Sequence, residues 1–249
     1  MRFILAISFI SFLYLNSLHA KTITVALAAN VSYAVDDLKK AFNERYPDID
    51  VHVILGSSGK LTAQLKNGAP YEVFMSANMT FPQALYDAKI ATTKPVIYAQ
   101  GTLAYLSSTP KDFTKGITLL IDASITKIAL ANPKTAPYGT AAFEALQNAK
   151  LYDRIKDKLV FAESISQAVV YATKATDIGF IAKSSLFAQP MRHYKKGIHW
   201  EAVDTALYTP IDQGIVLMKN ASKESRLFYD FVLSKRAKEI FTAYGYNVL

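Results

Sequence analysis

Short apolar runs alternate with amphipathic ones along most of this chain. "TITVALAA" (residues 22–29) is continuous enough to predict a buried strand, and "SYAVDDLKKAFNERYP" follows with Val35, Leu38 and Phe42 on one helical face and Pro47 past its end. "DVHVIL" predicts the next strand, "KLTAQLKNG" a helix, "YEVFMSA" a strand and "FPQALYDAKI" a short helix. "GTLAYLSS" and "KIALANP" predict two more strands, and "YGTAAFEALQNAKLYDRI" one long helix. "KLVFAES", "SQAVVYATKA" and "DIGFIAKSS" continue as strand, helix, strand. "HWEAVDT" and "QGIVLMKN" predict strands around a turn, and "ESRLFYDFVLSKRAKEIFTAYG" closes the chain as one or two helices. Alternation of this kind predicts α/β layers with largely parallel sheets.

The first 20 residues stand apart from this pattern. "MRFILAISFISFLYLNSLHA" has an early Arg2, an apolar run and a small residue, Ala20, at its end, which is the pattern of a cleaved signal peptide. Its apolar core, about Phe3 to Leu15, is short for a membrane span of about 20 residues. Leu18 and Ala20 fit the −3 and −1 cleavage positions, so Lys21 is expected to begin the mature chain. Cysteine is absent, which excludes disulfides, thiol chemistry and attachment through a lipidated N-terminal cysteine. A free periplasmic protein is the expectation. Without Arg2, 27 Lys and Arg remain against 20 Asp and Glu, a formal charge of +7. The basic residues are scattered, as on a solvated surface, and export argues against nucleic acid as partner.

Four junctions bring small or polar residues to the point where a strand ends and a helix begins: "LAANVS", "LGSSGK", "KTAPYGT" and "FAESIS". Ser, Asn and Gly are ordinary helix caps, so any one junction says only that a helix starts there. Four in one exported α/β chain point further. Ligands of open α/β sheets sit outside the carboxyl ends of the strands. Helix starts carry unpaired N–H groups and about half a positive charge, which suits an anion. Four such ends would offset about −2 of charge with no lysine in contact.

The chemistry of reaction is missing. "GSSGK" has two residues between its glycines where a phosphate-binding loop needs four, and there is no G-x-S-x-G elbow. His193 and His199 are six apart around Gly197, a poor spacing for one metal ion. Asp36 and Asp37 are adjacent, so they point to different sides of a helix and complement its dipole instead of pairing for acid–base work. Trp200, the single tryptophan, is expected to pack. No catalytic residue and no cofactor is expected.

The order "VALAANVSYAVDDLKKAF", "GSSGKLTAQLKNGAPYEVFMSA", "ANPKTAPYGTAAFEAL", "IGFIA" and "FYDFVLSKRAKEIFTAYGY" resembles the periplasmic molybdate-binding proteins, over nearly the whole mature chain. The serine turn with its downstream L-K-N-G-A-P and F-M-S-A, and the N-P-x-x-x-P-x-G segment, are the most specific pieces. The resemblance implies a class II solute-binding fold, two α/β lobes with the ligand in the cleft between them. Residues 21–101 with 210–249 would form lobe 1, and 102–209 lobe 2, with crossings near Gly101 and Pro210. It implies molybdate or tungstate as ligand and an inner-membrane ABC permease with its ATPase as partner, the binding protein itself being a monomer. Carried over by position, the oxyanion contacts fall on Asn30, Ser58, Tyr138 and Ile165. These would hold a metal only as the molybdate or tungstate oxyanion. Asn30 stands where a serine is usual and keeps a donor; Ile165 would contribute its backbone N–H. The late-strand tyrosine of some members is replaced by Ala182, and the Tyr138 phenol is expected to take its place. Rival readings are a binding protein for sulfate, phosphate or another small anion, an exported hydrolase, and a signalling or adhesion module.

Overall fold

The computed structural model describes residues 21–248; the signal-peptide expectation for residues 1–20 lies outside them. Two five-stranded sheets, each between helical layers, form two lobes.

The first sheet holds β1 (Lys21–Ala28), β2 (Ile49–Gly56), β3 (Val73–Met75) and β4 (Val96–Gly101), with α1 (Val35–Asn43), α2 (Ser58–Lys66) and α3 (Thr80–Asp87) between them. The second holds β5 (Leu103–Leu106), β6 (Ile128–Ala131), β7 (Leu159–Ala162), β8 (Ile178–Ala182) and β9 (Trp200–Ala202), with α4 (Pro137–Asn148), α5 (Tyr152–Ile155) and α6 (Ile165–Lys174). The chain then returns to the first sheet as β10 (Ile211–Leu217) and ends in α7 (Lys223–Val232) and α8 (Lys235–Ala243). Strand order is β2-β1-β3-β10-β4 in one sheet and β7-β6-β8-β5-β9 in the other. The chain therefore changes sheets between Gly101 and Leu103 and again between Ala202 and Ile211.

The alternation of side chains explains the layering. In β1 and β3, Val25, Leu27, Val73 and Met75 pack with Leu38 and Phe42 of α1 and with Phe228, Val232 and Phe241 of the last two helices. Their neighbours Ala26 and Phe74 face the opposite way, onto Leu61 and Leu65 of α2 and Leu85 of α3. The second sheet repeats the arrangement, with Ile128, Leu130, Tyr105 and Phe180 against α4. Its other face sets Ala104 and Ile181 against Val169 and Ala172 of α6.

Several elements differ from the pattern reading. The sheets are mixed: β1–β2, β1–β3, β6–β7 and β6–β8 are parallel, but β10 and β5 are antiparallel to both their neighbours. Each is the strand that carries the chain across to, or back from, the other lobe, and it enters from the opposite end. β9 and β10 are not a hairpin; they belong to different sheets. β4, with its polar Gln100 and its leading Pro95, gave no clear strand signal. The expected long helix breaks into α4 and α5 at Lys150, whose φ of 57° no helix can contain. The first helix start is also divided: a five-residue 3-10 turn, Ala29–Tyr33, precedes α1.

Candidate functional site

All four junctions converge. Ala28, Ala29, Asn30, Ser57, Ser58, Ala77, Ala136, Pro137, Tyr138 and Ile165 line one cavity between the two sheets. Among them are all four residues expected from the family resemblance. Alanines and serines keep the walls thin, so the backbone itself reaches the space. The cavity is about 10 Å³, room for the centre of one water.

Ser57 and Ser58 start α2. Ser57 is its N-cap, with extended φ and ψ of −68° and 146°, but makes no capping bond. Its hydroxyl is buried and has no partner. Ser58 is 1% exposed, and its Oγ accepts the Ala77 N–H at 3.0 Å. That lone-pair contact leaves the Ser58 proton available to donate into the cavity.

The other helix starts supply backbone donors. At α4, Ala136 is the cap and Pro137 the first helical residue. Proline has no N–H, so Tyr138 carries the first amide of that helix. At α6, the Ser164 Oγ accepts from Gln167 N at 3.3 Å, and Ile165 presents the first helical N–H. Three α-helix starts thus face the cavity, where four were expected. The fourth junction opens only the 3-10 turn, too short for an aligned macrodipole. The compensation from helix ends is about +1.5, with hydrogen bonds left to supply the rest.

Asn30 is fully buried and its environment is unlike that of the serines. Its Nδ2 donates to Gln213 Oε1 at 2.9 Å and to Tyr246 Oη at 3.0 Å. Its carbonyl accepts from Tyr246 Oη at 2.8 Å and Ser184 Oγ at 3.1 Å. The side-chain oxygen Oδ1 is the atom left without a partner. The donor expected here is therefore committed elsewhere. Gln213 extends the network: its Oε1 accepts from Tyr98 Oη at 2.7 Å and its Nε2 donates to Tyr138 Oη at 3.1 Å. The Tyr138 phenol thus rests on Gln213 and beside Gly101, and Tyr138 offers the cavity its backbone, not a substitute phenol for the one missing at Ala182. Burial pushes the Tyr98, Tyr138 and Tyr246 phenols up, with neighbouring phenols adding to the effect at each, so all three stay neutral at physiological pH.

Three contacts hold the lobes together around the cavity besides Gln213–Tyr138. Gly59 N donates to Thr135 O at 2.9 Å. Ser184 on the second-lobe side reaches the Asn30 carbonyl. Lys60 and Glu163 form an exposed ion pair. Glu163 is thereby turned to solvent and is not among the residues lining the cavity.

Sequence reasoning missed Ser57, Gln213, Tyr98 and Tyr246. Ser57 had a signal in the doubled serine of "GSSG". Gln213 had one too, as a polar residue on the buried side of the strand "IDQGIVL". The tyrosines read only as core. No group of three or more His, Cys, Asp or Glu side chains that could hold a metal ion occurs among the described residues. His199 instead accepts the Lys195 N–H through Nδ1 at 3.2 Å, and Trp200 packs with its Nε1 on Tyr194 O.

Comparison with known proteins agrees with the geometry. The chain is 34% identical to the molybdate-binding protein ModA of Rhodobacter capsulatus, over 91% of this chain and 88% of that one. It is 32% identical to the molybdate-binding protein ModA of Azotobacter vinelandii, over 92% and 91%. The solved periplasmic molybdate-binding protein of Azotobacter vinelandii superposes with a TM-score of 0.83 at 28% identity, covering 91% of this chain and 99% of that structure. The profile of bacterial extracellular solute-binding proteins matches residues 23–247, and the chain belongs to that family.

Proposed function

We propose that this protein binds molybdate, and with it tungstate, in the periplasm and delivers it to an ABC importer. One observation carries the reading. Unspent donors from Ser57, Ser58, Tyr138 and Ile165 converge on a buried cavity that no acid or base lines. Molybdate is a dianion without a proton at neutral pH, so every group facing it should donate. Hydrogen bonds to a charged partner contribute about 1.5–3 kcal/mol each. Four of them contribute about 6–12 kcal/mol before the costs of association and lobe closure, and the three helix starts add to this. The two relatives named above bear molybdate in their names, which favours this anion over others of the same shape.

Several statements belong to the same proposal. Residues 1–20 are removed on export, the protein acts as a monomer without lipid anchor, and it turns over no substrate. Residues 21–101 with 210–249 act as one lobe and 102–209 as the other, closing on the ligand and presenting both lobes to the permease. The intact mass of periplasmic protein tests the start at Lys21; a retained Arg2 segment contradicts it.

A second reading has one specific support. The unpartnered Asn30 Oδ1 is an acceptor, and an acceptor suits an oxyanion that keeps a proton, such as hydrogen phosphate. Calorimetric titration with molybdate, tungstate, sulfate and phosphate at pH 7.5 separates the two. The expected order is molybdate and tungstate tight, sulfate weak because its shorter bonds leave the helix starts out of reach, and phosphate weakest. Displacement of molybdate by phosphate at comparable concentration overturns the all-donor cage.

A further inference from the structure

We propose that Gln213 decides which end of the Asn30 carboxamide faces the ligand, and that the two side-chain amides turn over together when the oxyanion binds. The inference rests on the proposed function, since it concerns the polarity of that same cavity.

A carboxamide is nearly symmetric in shape and opposite in polarity at its two ends. Turning it over costs little space and reverses donor and acceptor. In the arrangement described above, Asn30 Nδ2 points at Gln213 Oε1, 2.9 Å away. Oδ1 is left buried and unpaired. An unpaired buried acceptor beside a dianion is doubly unfavourable, because the oxygen repels the charge and gains no hydrogen bond from it.

Reversing Asn30 alone does not help. Its Oδ1 would then oppose Gln213 Oε1, acceptor against acceptor. Reversing both restores every contact but one, at Tyr246. Gln213 Nε2 donates to Asn30 Oδ1 over the same separation. Gln213 Nε2 also donates to Tyr98 Oη, whose own proton turns to Ser76 O, already 3.4 Å away. Tyr138 Oη, which now accepts from Gln213, donates to Gln213 Oε1 instead, across the same 3.1 Å. The Asn30 backbone carbonyl keeps the Ser184 hydroxyl, which frees the single Tyr246 proton to turn to Oδ1 at the cost of its bond to that carbonyl. The phenols are neutral in both arrangements and each can donate or accept, which is what lets the network reverse without moving a heavy atom far. The outcome is a single change at the cavity: Nδ2 replaces Oδ1.

Gln213 is thus a positioning residue. Asparagine can serve at position 30 only because a second amide fixes its polarity, whereas a serine hydroxyl rotates freely and needs no such partner. Gln213 also ties this choice to closure, because its other end rests on Tyr138 from the second lobe.

The test is a double-variant cycle on the full mature protein, with titrations of molybdate into wild type, Gln213→Met, Asn30→Ser and the pair. Methionine keeps the volume and removes both hydrogen-bonding ends. Gln213→Met is expected to weaken molybdate binding about tenfold or more in the Asn30 background, the scale of one hydrogen bond to a charged group. In the Asn30→Ser background the loss should be several-fold smaller, confined to what the Gln213–Tyr138 contact adds to closure, because a hydroxyl has no polarity to be set. Equal factors in the two backgrounds overturn the proposal, since a merely structural glutamine would act alike in both. A second measurement needs no variant. In side-chain amide NMR spectra of the wild type, molybdate should move the Gln213 amide protons from proximity to the Tyr138 ring to proximity to the Tyr98 ring; unchanged contacts overturn the proposal. If the wild type takes phosphate and refuses molybdate, the molybdate reading fails by itself. Control by Gln213 then survives only if the cycle run with phosphate shows the same dependence on background. Binding of none of the four anions removes both.

Discussion

The two walls of the first lobe solve one problem in different ways. On the α2 side, Ser57 and Ser58 each bring a hydroxyl that rotates to suit whatever it faces. On the β1 side, Asn30 brings a rigid amide whose useful end is set by Gln213, Tyr98, Tyr138 and Tyr246. The serine wall is local, since two adjacent residues and one helix start make it. The asparagine wall is assembled from the 3-10 turn after β1, from β4, β10 and α4, and from the chain end, and three of its four supporting side chains lie far away in sequence from any junction. A local donor is robust but nonspecific. A networked donor is specific in polarity and vulnerable at every member.

The largest effect should come from breaking the networked wall at its narrowest point. A Cβ on Gly101 would lie 2.0 Å from Tyr138 Oη and 2.7 Å from Gln213 Nε2, so glycine is required there by close approach. Gly101→Ala must push both groups away. Overpacking of a tight site costs about 1–3 kcal/mol in stability, and loss of the Asn30 donor adds to it on binding. Molybdate affinity is expected to fall by more than about a hundredfold, with a lower melting temperature. Calorimetry and thermal unfolding check this; affinity within tenfold of wild type would show that the wall is not networked.

The serine wall separates binding from folding. Ser57→Ala removes a hydroxyl with no partner, so stability should hold while binding weakens by about 1.5–3 kcal/mol. Ser58→Ala should lose a similar amount of binding and also leave the buried Ala77 N–H unsatisfied, at about 1–3 kcal/mol of stability. From an open cleft one would expect no folding cost at Ser58. Its burial reverses that expectation. Urea unfolding of the two variants side by side measures the difference, and equal midpoints would contradict it.

The smallest effect should come from the rim. Lys60 and Glu163 are more than half exposed, and such ion pairs contribute about 0–1 kcal/mol, screened by salt. Glu163→Gln should speed ligand release by at most about fivefold at low salt and not measurably at 0.5 M salt. Stopped-flow dissociation reads this directly. A large effect that persists in salt would mean that Glu163 touches the ligand.

Periodicity and turn chemistry made most of the elements legible, and helix-start composition made the cavity's floor legible. The four junctions could be placed together because strand ends of an α/β sheet meet at one edge, whereas Asn30, Ser58, Tyr138 and Ile165 within them were reached through the family resemblance. The pairing of β9 and β10 was not legible, because two adjacent strands in sequence read as a hairpin unless the sheets they join are known. Nor was the break at Lys150, since a lysine carries no turn signal of its own.

By itself the sequence determined the chemical kind of the site: small residues and hydroxyls at helix starts, no cysteine, and no histidine where the junctions lie. Glu163, in the fourth junction, is the one acid there, and these are properties of residue type and local spacing. Only the tertiary structure decided the polarity of the Asn30 wall and the second role of Ser58. Hydrogen bonds are spent in pairs, and the partners of Asn30, at Gln213 and Tyr246, lie 183 and 216 residues away along the chain. Which donor remains free for a ligand is a property of the folded network, and no local stretch of sequence contains it.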